Sequence, residues 1–453
     1  MNAPVRLRRT LTTRAVVFLL FFTVSGGAFT TEALVAEVGP GLALLLLALV
    51  PVLWSVPEAL LIGELASMLP EEGGYYRWVR RAFGPFWGFQ NGWCTWCYSL
   101  VDMAIYPVLF TTYLGYFAPA LPEPAVWAIR LAVIWGATAI NLRGALRVGR
   151  VSTWAGYFVL AVFAAIGAAA LVTGVAGGAL HAPWAPFAKE GAAPLAGLGV
   201  GLSVAMWNYF GWDNASTVLG EVEDPARAYP RALAVAVPLV AAAYFVPLLP
   251  TLAASDWTTW KEGAWPAIAR ATGGPAGPLL AAAVALAGMV SALALYNALL
   301  LAFSRVPLAL AADGLLPDRL ARVDERGVPR ASVIAAAALY SVFTLLPFAQ
   351  LVVADALLYA LAMFLEFGAL VRLRVREPAL RGPFRLPFGT GGVTALAVLP
   401  ATVFVTATAY SVAGGEIGAQ AVAGSLAALA LGPVCYAVFT RAGRRRSTVT
   451  GES

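Results

Sequence analysis

The sequence predicts an all-α integral membrane protein with about twelve transmembrane helices, and three observations support this fold class. Of the 453 residues, 60% are hydrophobic and 12% are charged, a composition outside the range of ordinary soluble domains. The mean hydropathy is +0.78. Apolar runs of roughly 20 residues, enough for a helix to cross a bilayer, centre on Leu20, Val52, Leu100, Ile134, Leu160, Met206, Tyr244, Met289, Ala338, Leu361, Phe404 and Ala428.

The distribution of basic residues predicts the orientation of these helices. If the N-terminus lies inside the cell, almost all of the 30 Lys and Arg residues fall in inner segments, as expected when positive charge directs insertion. These segments are residues 6–14, 77–81, 143–150, 227–231, 305–330, 372–385 and 441–446. The N-terminal tail, residues 1–12, and the basic tail, residues 441–453, are therefore both expected in the cytoplasm. Because insertion explains the net charge of +6, we expect the lipid bilayer, not nucleic acid, to be the partner of the basic tail.

Helix 1 is predicted to be interrupted. Its apolar sequence begins near residue 13, breaks at Ser25-Gly26-Gly27 and restarts at Ala28. Glycine pairs in a membrane also serve close helix packing. Two glycines after a serine, with Glu32 just beyond them, favour an unwound segment instead.

Helices 2 and 3 place acidic residues in apolar surroundings. Helix 2 contains Glu58 and Glu64. In helix 3, Tyr98, Asp102 and Tyr106 are spaced four residues apart, so they share one face. Helices 4 and 5 are rich in Leu and Ala and carry no comparable group.

Helix 6 is interrupted in the same way as helix 1. Between Asn208 and Asp213 it contains polar side chains and Gly211, at the depth where such groups cost most in a bilayer. Five helices separate the starts of the two interrupted helices. The chain would therefore form two five-helix repeats of opposite orientation, residues 13–174 and residues 194–374. Paired broken helices of this kind mark a substrate site near the midplane. Helices 11 and 12, residues 391–440, lie outside the repeats.

The candidate substrate-binding residues lie at the two breaks and on neighbouring helix faces. They are Ser25, Gly26, Gly27, Phe29, Glu32, Asp102, Tyr106, Trp207, Asn208, Tyr209, Trp212, Asp213 and Tyr296. Free amides at a break attract carboxylates and free carbonyls attract cations, so the breaks would suit the two charged ends of an amino acid. The excess of acids, namely Glu32, Glu58, Asp102 and Asp213, favours a cationic substrate. Aromatic faces would add about 0.5 to 2 kcal/mol each.

Three acids have structural alternatives that the sequence leaves open. In the alternative for Asp213, this residue is only the N-cap of the second half of helix 6, and its side chain accepts a hydrogen bond from the amide of Ala215 or Ser216. Glu58 follows a proline and would satisfy backbone groups that the proline frees. Glu64 is predicted to be a structural or gate residue.

The chain resembles the amino acid, polyamine and organocation transporter superfamily over nearly its whole length. The resemblance rests on the glycine break of helix 1, Gly63-Glu64-Leu65 followed by Leu69-Pro70-Glu71-Glu72-Gly73-Gly74-Tyr75, Gly220-Glu221-Val222-Glu223-Asp224-Pro225, and the stretch from Ser304-Arg305 to Asp313-Gly314-Leu315-Leu316-Pro317. Within the superfamily it is most similar to the polyamine uptake and L-type amino acid transporter branch, through Trp54-Ser55-Val56-Pro57-Glu58, Asp102 with Tyr106-Pro107, and Trp207-Asn208 with Trp212-Asp213.

This resemblance implies the leucine-transporter fold, with five plus five inverted helices and two more. It implies a permease of the cell membrane, not an enzyme, that moves polyamines or amino acids by alternating access and has no catalytic residues. Proton coupling is implied, with Glu32, Glu58 and Asp213 as candidate carriers, and sodium stays open as the coupling ion. The alternative function is a neutral amino-acid permease or exchanger. No cofactor or metal is expected, and the sequence does not indicate an oligomeric state.

Overall fold

The computed structural model describes residues 7–189, 194–344, 352–413 and 419–449, and these residues are mainly helical. The first half contains α1 (Thr13–Val24), α2 (Thr31–Val38), α3 (Pro40–Val50), α4 (Val56–Met68), α5 (Gly74–Phe83), α6 (Pro85–Leu114), α7 (Glu123–Asn141) and α8 (Ala145–Gly177). The second half contains α9 (Pro194–Trp207), α10 (Pro225–Ala254), α11 (Trp265–Thr272), α12 (Gly277–Phe303), α13 (Arg305–Ala312), α14 (Arg330–Phe343), α15 (Val352–Arg376), α16 (Thr390–Ala413) and α17 (Ala419–Val449). A π-helical turn, Pro51–Ser55, joins α3 to α4, and a 3-10 helix, Asn214–Glu221, follows α9.

Eight segments of the described chain are long and apolar enough to cross a bilayer. They are Pro40–Met68, Pro85–Leu114, Glu123–Asn141, Ala145–Gly177, Pro225–Ala254, Gly274–Ala312, Thr390–Tyr410 and Ala423–Arg441, and each coincides with a predicted span. The other four predicted spans correspond to the two interrupted segments and to α14 and α15. The helical membrane architecture is therefore confirmed, while the number twelve stays a prediction.

The described residues cover the two predicted tails only in part. The helix α17 continues to Val449, so the basic segment that starts at residue 441 is helical as far as it is described. Residues 1–6 and 450–453 of the two tails lie outside the described residues.

The break in the first membrane segment lies between α1 and α2. Gly26 and Gly27 have φ angles of 70° and 116°, and Thr30 is also left-handed, with φ 77°. The helix restarts at Thr31, so the predicted restart at Ala28 is wrong. The reason is that Thr30 occupies a conformation that cannot belong to a right-handed helix.

The break in the sixth segment faces the first one. The helix α9 ends at Trp207, and residues 208–213 are irregular before the 3-10 helix begins. Gly211 has φ 102° and lies so close to the Thr23 carbonyl of α1 that a side chain at Gly211 would collide with it. The Thr30 hydroxyl donates a hydrogen bond to Asn208 Oδ1 at 2.9 Å. Both predicted interruptions are present, and they touch.

Long helices surround the two breaks. The helix α1 packs against α8, α10 and α12; α12 also packs against α6 and α8, and α10 also packs against α4 and α8. The helix α15 lies against α6 and α5. This packing leaves the irregular backbone of both breaks inside the protein.

Two buried ion pairs, Glu64–Arg374 and Glu221–Arg305, join helices at the end of the molecule where α5 lies, which is called the α5 end below. Arg374 of α15 donates to both carboxylate oxygens of Glu64 in α4, at 2.7 and 2.5 Å, and to the carbonyls of Leu386 and Phe388. Arg305 is fully buried and lies 2.7 Å from Glu221. The Glu64 carboxylate therefore joins α4 to α15, and its role as a structural or gate residue stays a prediction.

Candidate functional site

A small cavity of about 50 Å³ lies where the two breaks meet. It has room for a few water molecules. It is lined by Thr23, Val24, Ser25, Phe29, Thr30, Tyr98, Asp102, Tyr106, Leu109, Trp207, Asn208, Phe210, Gly211, Asn214, Leu295 and Tyr359. A larger ligand therefore requires some of these side chains to move.

The lining is acidic and aromatic. Asp102 is the one carboxylic acid among the lining residues, which include no Lys, Arg or His. Its Oδ1 accepts a hydrogen bond from Tyr106 at 2.7 Å. Because Tyr98, Asp102 and Tyr106 all line the cavity, the shared helix face predicted for them is confirmed. The described lining therefore suits a cation better than an anion.

Aromatic rings form one wall of the cavity. Phe210 stacks on Tyr359 with ring centroids 4.6 Å apart. Tyr98 meets Tyr359 edge to face at 5.4 Å and donates its hydroxyl hydrogen to Asn214 Oδ1 at 2.8 Å. Such ring faces attract ammonium groups. The wall joins α6, α15 and the break in the sixth segment.

The hydroxyl of Tyr359 contacts two buried carboxyl groups. It lies 2.9 Å from Glu58 Oε1 and 3.1 Å from Asp213 Oδ1, and it accepts a hydrogen bond from the Gly211 amide at 2.8 Å. A phenol has one hydrogen, so it donates to only one of the two carboxyls. A hydrogen bond at the other contact requires a proton on that carboxyl. With both bonds made, the cluster of Glu58, Tyr359 and Asp213 holds one proton shared by the two carboxyl groups in addition to the phenol's own hydrogen, and it carries a single negative charge.

The alternative roles of Glu58 and Asp213 are not found in the structure. Asp213 is at the N-cap position of the 3-10 helix, but its side chain makes no capping hydrogen bond there. Glu58 directs one oxygen to Tyr359, and its second oxygen has no hydrogen-bond partner among the described residues. Both acids thus contact the Tyr359 hydroxyl, and the Asp213 carboxyl also interacts with the backbone amides of Asp213 and Asn214.

Two glycines that were predicted to bind substrate, Gly26 and Gly27, shape the site without lining it. The Gly26 carbonyl accepts a hydrogen bond from Ser291 of α12 at 2.6 Å. Gly27 lies against Val159 and Phe163 of α8, too close for a side chain. Both glycines adopt positive φ angles, which glycine populates without strain.

Five further predicted residues lie outside the cavity lining: Asp213, which lies behind Tyr359, and four others. Glu32 accepts a hydrogen bond from the Gly263 amide of the loop before α11, at 2.9 Å. The Tyr209 hydroxyl donates to the Leu47 carbonyl of α3 at 2.9 Å.

The other two also contact neighbouring helices. Trp212 is fully buried, and its carbonyl accepts from the Tyr229 hydroxyl. Tyr296 lies edge to face with Tyr340 of α14. Like Glu32 and Tyr209, these residues fix the positions of the breaks and helices relative to their neighbours.

Several lining residues were absent from the predicted set, and they differ in how clearly the sequence indicates them. Tyr98 was placed on the correct face by its spacing, and Phe210, Gly211 and Asn214 lie within or beside the predicted break. Tyr359 has no such signal, because it is a single tyrosine in an apolar run of α15.

A network of charged side chains lies near the C-terminal ends of α4 and α12. Arg305 contacts Glu221 at 2.7 Å and Glu72 at 3.8 Å. Glu72, in the loop between α4 and α5, also accepts from the Gly220 amide at 3.1 Å. Burial and the nearby Glu221 charge raise the pKa of Glu72 well above its usual value, while Arg305 acts in the opposite direction. The network joins the 3-10 helix to the loop that leads into α5.

Comparison with known proteins places these features in a family. A family model described as amino acid permease matches residues 10–426. A probable polyamine transporter of Arabidopsis thaliana is 36% identical over 400 residues, which is 86% of this chain and 77% of that protein. Polyamine transporter PUT1 of Oryza sativa subsp. japonica is 36% identical over 406 residues, 89% of this chain and 74% of PUT1. Polyamine transporter RMV1 of Arabidopsis thaliana is 34% identical over 402 residues, 87% of this chain and 79% of RMV1.

Proposed function

Because the chain belongs to the amino acid permease family, we propose that it is a secondary transporter that imports polyamines across the cell membrane by alternating access. Members of this family are transporters, so the chain is a permease and not an enzyme. The relatives named polyamine transporters cover most of its length. The lining of the cavity supports the preference for polyamines over other permease substrates.

The observation that carries the proposal is that a carboxyl group and several aromatic rings line the cavity between the two breaks. The lining contains Asp102 and the aromatic residues Phe29, Tyr98, Tyr106, Trp207, Phe210 and Tyr359. A carboxylate binds an ammonium group, and ring faces attract it and also pack on methylene groups. A polyamine presents these two kinds of group in alternation.

The Glu58–Tyr359–Asp213 cluster supplies a second negative region beside the cavity. Tyr359 lies between the cavity and the two buried acids. With one shared proton, the cluster has one negative charge, and Asp102 has another when ionised. Two separate negative groups suit a substrate with ammonium groups at both ends of a chain.

Proton coupling is part of the proposal. Glu58 and Asp213 share a proton through Tyr359 in the arrangement described above, and Glu32, bound to the Gly263 amide, is the third candidate carrier. One charge moved across 100 mV is worth about 2.3 kcal/mol, or roughly fifty-fold accumulation. A multivalent cation is therefore drawn inward by the potential, and a proton adds to that driving force. Sodium is the alternative coupling ion.

We extend the proposal to the topology. Twelve spans in two inverted five-helix repeats, followed by two helices, account for two interrupted segments that meet inside the protein. Cytoplasmic termini account for the basic residues at the α5 end, such as Arg77, Arg81 and Arg374. Labelling of single cysteines introduced into the tails, from either side of intact cells, tests this orientation. Labelling of either tail by an impermeant reagent from outside would contradict it.

A neutral amino-acid permease or exchanger is the second candidate. The cavity also borders the irregular backbone of both breaks, and free amides and carbonyls at such breaks suit an amino acid's carboxylate and ammonium groups. This function needs no carboxylate at Asp102. The two candidates therefore differ in whether transport depends on that charge.

Uptake by purified protein in liposomes separates the candidates. Labelled spermidine, putrescine and a panel of amino acids are offered with the pH gradient, sodium gradient and membrane potential imposed separately. We expect saturable polyamine uptake that increases when the outside is acidic. Saturable uptake of neutral amino acids without polyamine transport would establish the second candidate instead.

A further inference from the structure

Glu366 of α15 is a buried acid that the proposed function does not yet use. It is seven residues, or two helical turns, after Tyr359, and its side chain has no exposed surface. Its Oε1 accepts one long hydrogen bond, from Asn91 Nδ2 of α6 at 3.3 Å. Its Oε2 has no hydrogen-bond partner in the part of the chain that the structure describes.

Asn91 presents a matching unsatisfied atom. It is also fully buried, and its Nδ2 donates to the Ala362 carbonyl at 3.1 Å as well as to Glu366. Its Oδ1, like Glu366 Oε2, has no partner among the described residues. Two acceptors on facing side chains thus lack a hydrogen.

The groups around Glu366 do not compensate a negative charge. The groups in electrostatic range are Asp213 and Glu58, both acids, and the phenols Tyr75, Tyr98 and Tyr229, which belong to α5, α6 and α10. Two cations follow on its own helix: the Arg372 guanidinium lies over the Phe83 ring, 5.1 Å from its centroid, and the Arg374 guanidinium binds Glu64. An isolated carboxylate in such surroundings is costly.

We propose that Glu366 is a second proton-binding site of the transport cycle, paired with Asn91 and distinct from the Glu58–Tyr359–Asp213 cluster. A proton on Oε2 turns an unsatisfied acceptor into a donor, and Asn91 Oδ1 is the acceptor on the facing side chain. The neutral acid removes the cost of the buried charge. Asn91 is a positioning residue in this arrangement.

The position of Glu366 indicates what the site does. Along α15 it lies between Tyr359, at the cavity, and Arg374, at the α5 end. When that end opens to water, Glu366 releases its proton there and keeps a hydrated carboxylate, and it takes up the next proton from the opposite side once that side is open. One proton moves and the charge of the substrate does not change. The role of Glu366 in coupling rests on the proposed proton-coupled transport. The protonation of Glu366 does not depend on that proposal.

Infrared spectroscopy of the purified full-length protein tests the proton directly. A protonated carboxyl group has a carbonyl stretch that an ionised one lacks. We expect Glu366→Gln to remove intensity from this band at neutral pH and to leave the protein folded, because Gln has the size and neutrality of the protonated acid. An unchanged band, or a variant that fails to fold at neutral pH, would overturn the proposal.

Glu377→Gln is the matched control. Glu377 follows the end of α15, is partly exposed and forms a salt bridge with Arg81 at 2.6 Å. Its carboxyl is ionised at neutral pH, so the control should leave the protonated-carboxyl band unchanged.

Transport then tests the use of the proton. In liposomes, Glu366→Gln should lose the accumulation of polyamine that a pH gradient drives, while the exchange of internal for external polyamine persists. Accumulation equal to that of the unmodified protein would exclude Glu366 from coupling. If the unmodified protein shows no proton-driven uptake, the proposed coupling fails, and the infrared result still decides whether Glu366 holds a proton.

Discussion

The Thr30 hydroxyl donates a hydrogen bond to the Asn208 side chain across 2.9 Å, and these two residues belong to the two separate breaks. Thr30 is left-handed and Asn208 follows the last residue of α9. The bond therefore links two irregular segments at the wall of the same cavity. Substrate contacts made on one break are structurally connected to the other.

Replacing Asp102 with Asn should weaken polyamine binding. The substitution removes the one carboxylic acid of the described lining while keeping its size. Hydrogen bonds to charged groups contribute about 1.5 to 3 kcal/mol, so we expect the KM for spermidine to rise about 10- to 100-fold. Tyr106→Phe removes the hydrogen bond to Asp102 but keeps the charge, so it should have the smaller effect. Equal KM values for Asp102→Asn and the unmodified protein would argue for the amino-acid alternative.

Replacing Tyr359 with Phe should destabilise the protein and impair transport. The variant keeps the ring that stacks on Phe210 but leaves the Gly211 amide, Glu58 and Asp213 without the shared hydroxyl. A buried group without its partner costs about 1 to 3 kcal/mol. Thermal unfolding in detergent should show a lower Tm. Tyr209→Phe is a control of the same chemistry, because it removes one hydrogen bond at the Leu47 carbonyl, away from the cavity.

Breaking the Glu64–Arg374 ion pair from one side should be strongly destabilising. Both side chains are nearly fully buried, and removing one partner of a buried pair costs about 3 to 5 kcal/mol because the other charge stays uncompensated. We expect Glu64→Ala to reduce the yield of folded protein and its Tm. The double variant, Glu64→Leu with Arg374→Met, should recover part of the loss. A double variant less stable than either single variant would contradict this account.

Replacing Trp265 with Phe should loosen the contact between the start of α11 and the first break. Trp265 Nε1 donates to the Ala28 carbonyl, in the first break, at 2.8 Å. The substitution removes that bond and keeps an apolar ring, so we expect a higher KM with a largely intact fold. The control is Trp257→Phe, in the loop before α11 and outside the break. Proteolysis of the loop, measured with and without spermidine, reports whether the substrate still protects it.

The Arg81–Glu377 pair should add a small pH dependence to stability. Hydrogen bonds from Arg81 lower the pKa of Glu377. The pair therefore stabilises the fold above the unfolded-state pKa of Glu377, and this contribution is lost as the pH falls through the lower folded-state value. Both groups are exposed enough for salt to screen them. The Tm difference between the unmodified protein and Glu377→Gln should thus vanish at acidic pH and shrink at high salt.

Local chemistry explains why the breaks and one helix face could be predicted. Ser25-Gly26-Gly27 and the polar residues after Trp207 are unfavourable in a continuous membrane helix, and a spacing of four residues was enough to place Tyr98, Asp102 and Tyr106 together. Each prediction depends only on near neighbours in the sequence.

The residues that escaped prediction depend on distant contacts. The restart at Thr31 depends on Thr30, whose hydroxyl binds a residue 178 positions away. Tyr359 and Glu366 reach their partners only because α15 packs against α6 and near the second break in a particular register. Such a register is set by tertiary packing, and no local pattern in α15 encodes it.

The start of α11 and the residue pair before it donate to the first membrane segment at two points: the Gly263 amide to Glu32 of α2, and Trp265 to the Ala28 carbonyl in the break. Detachment of residues 263–265 therefore requires breaking two bonds to the segment that contains the first break. If these residues cover the route to the cavity, the residence time of a bound ligand is governed by how often they detach. Two ligands with different equilibrium affinities would then leave by this route at similar rates.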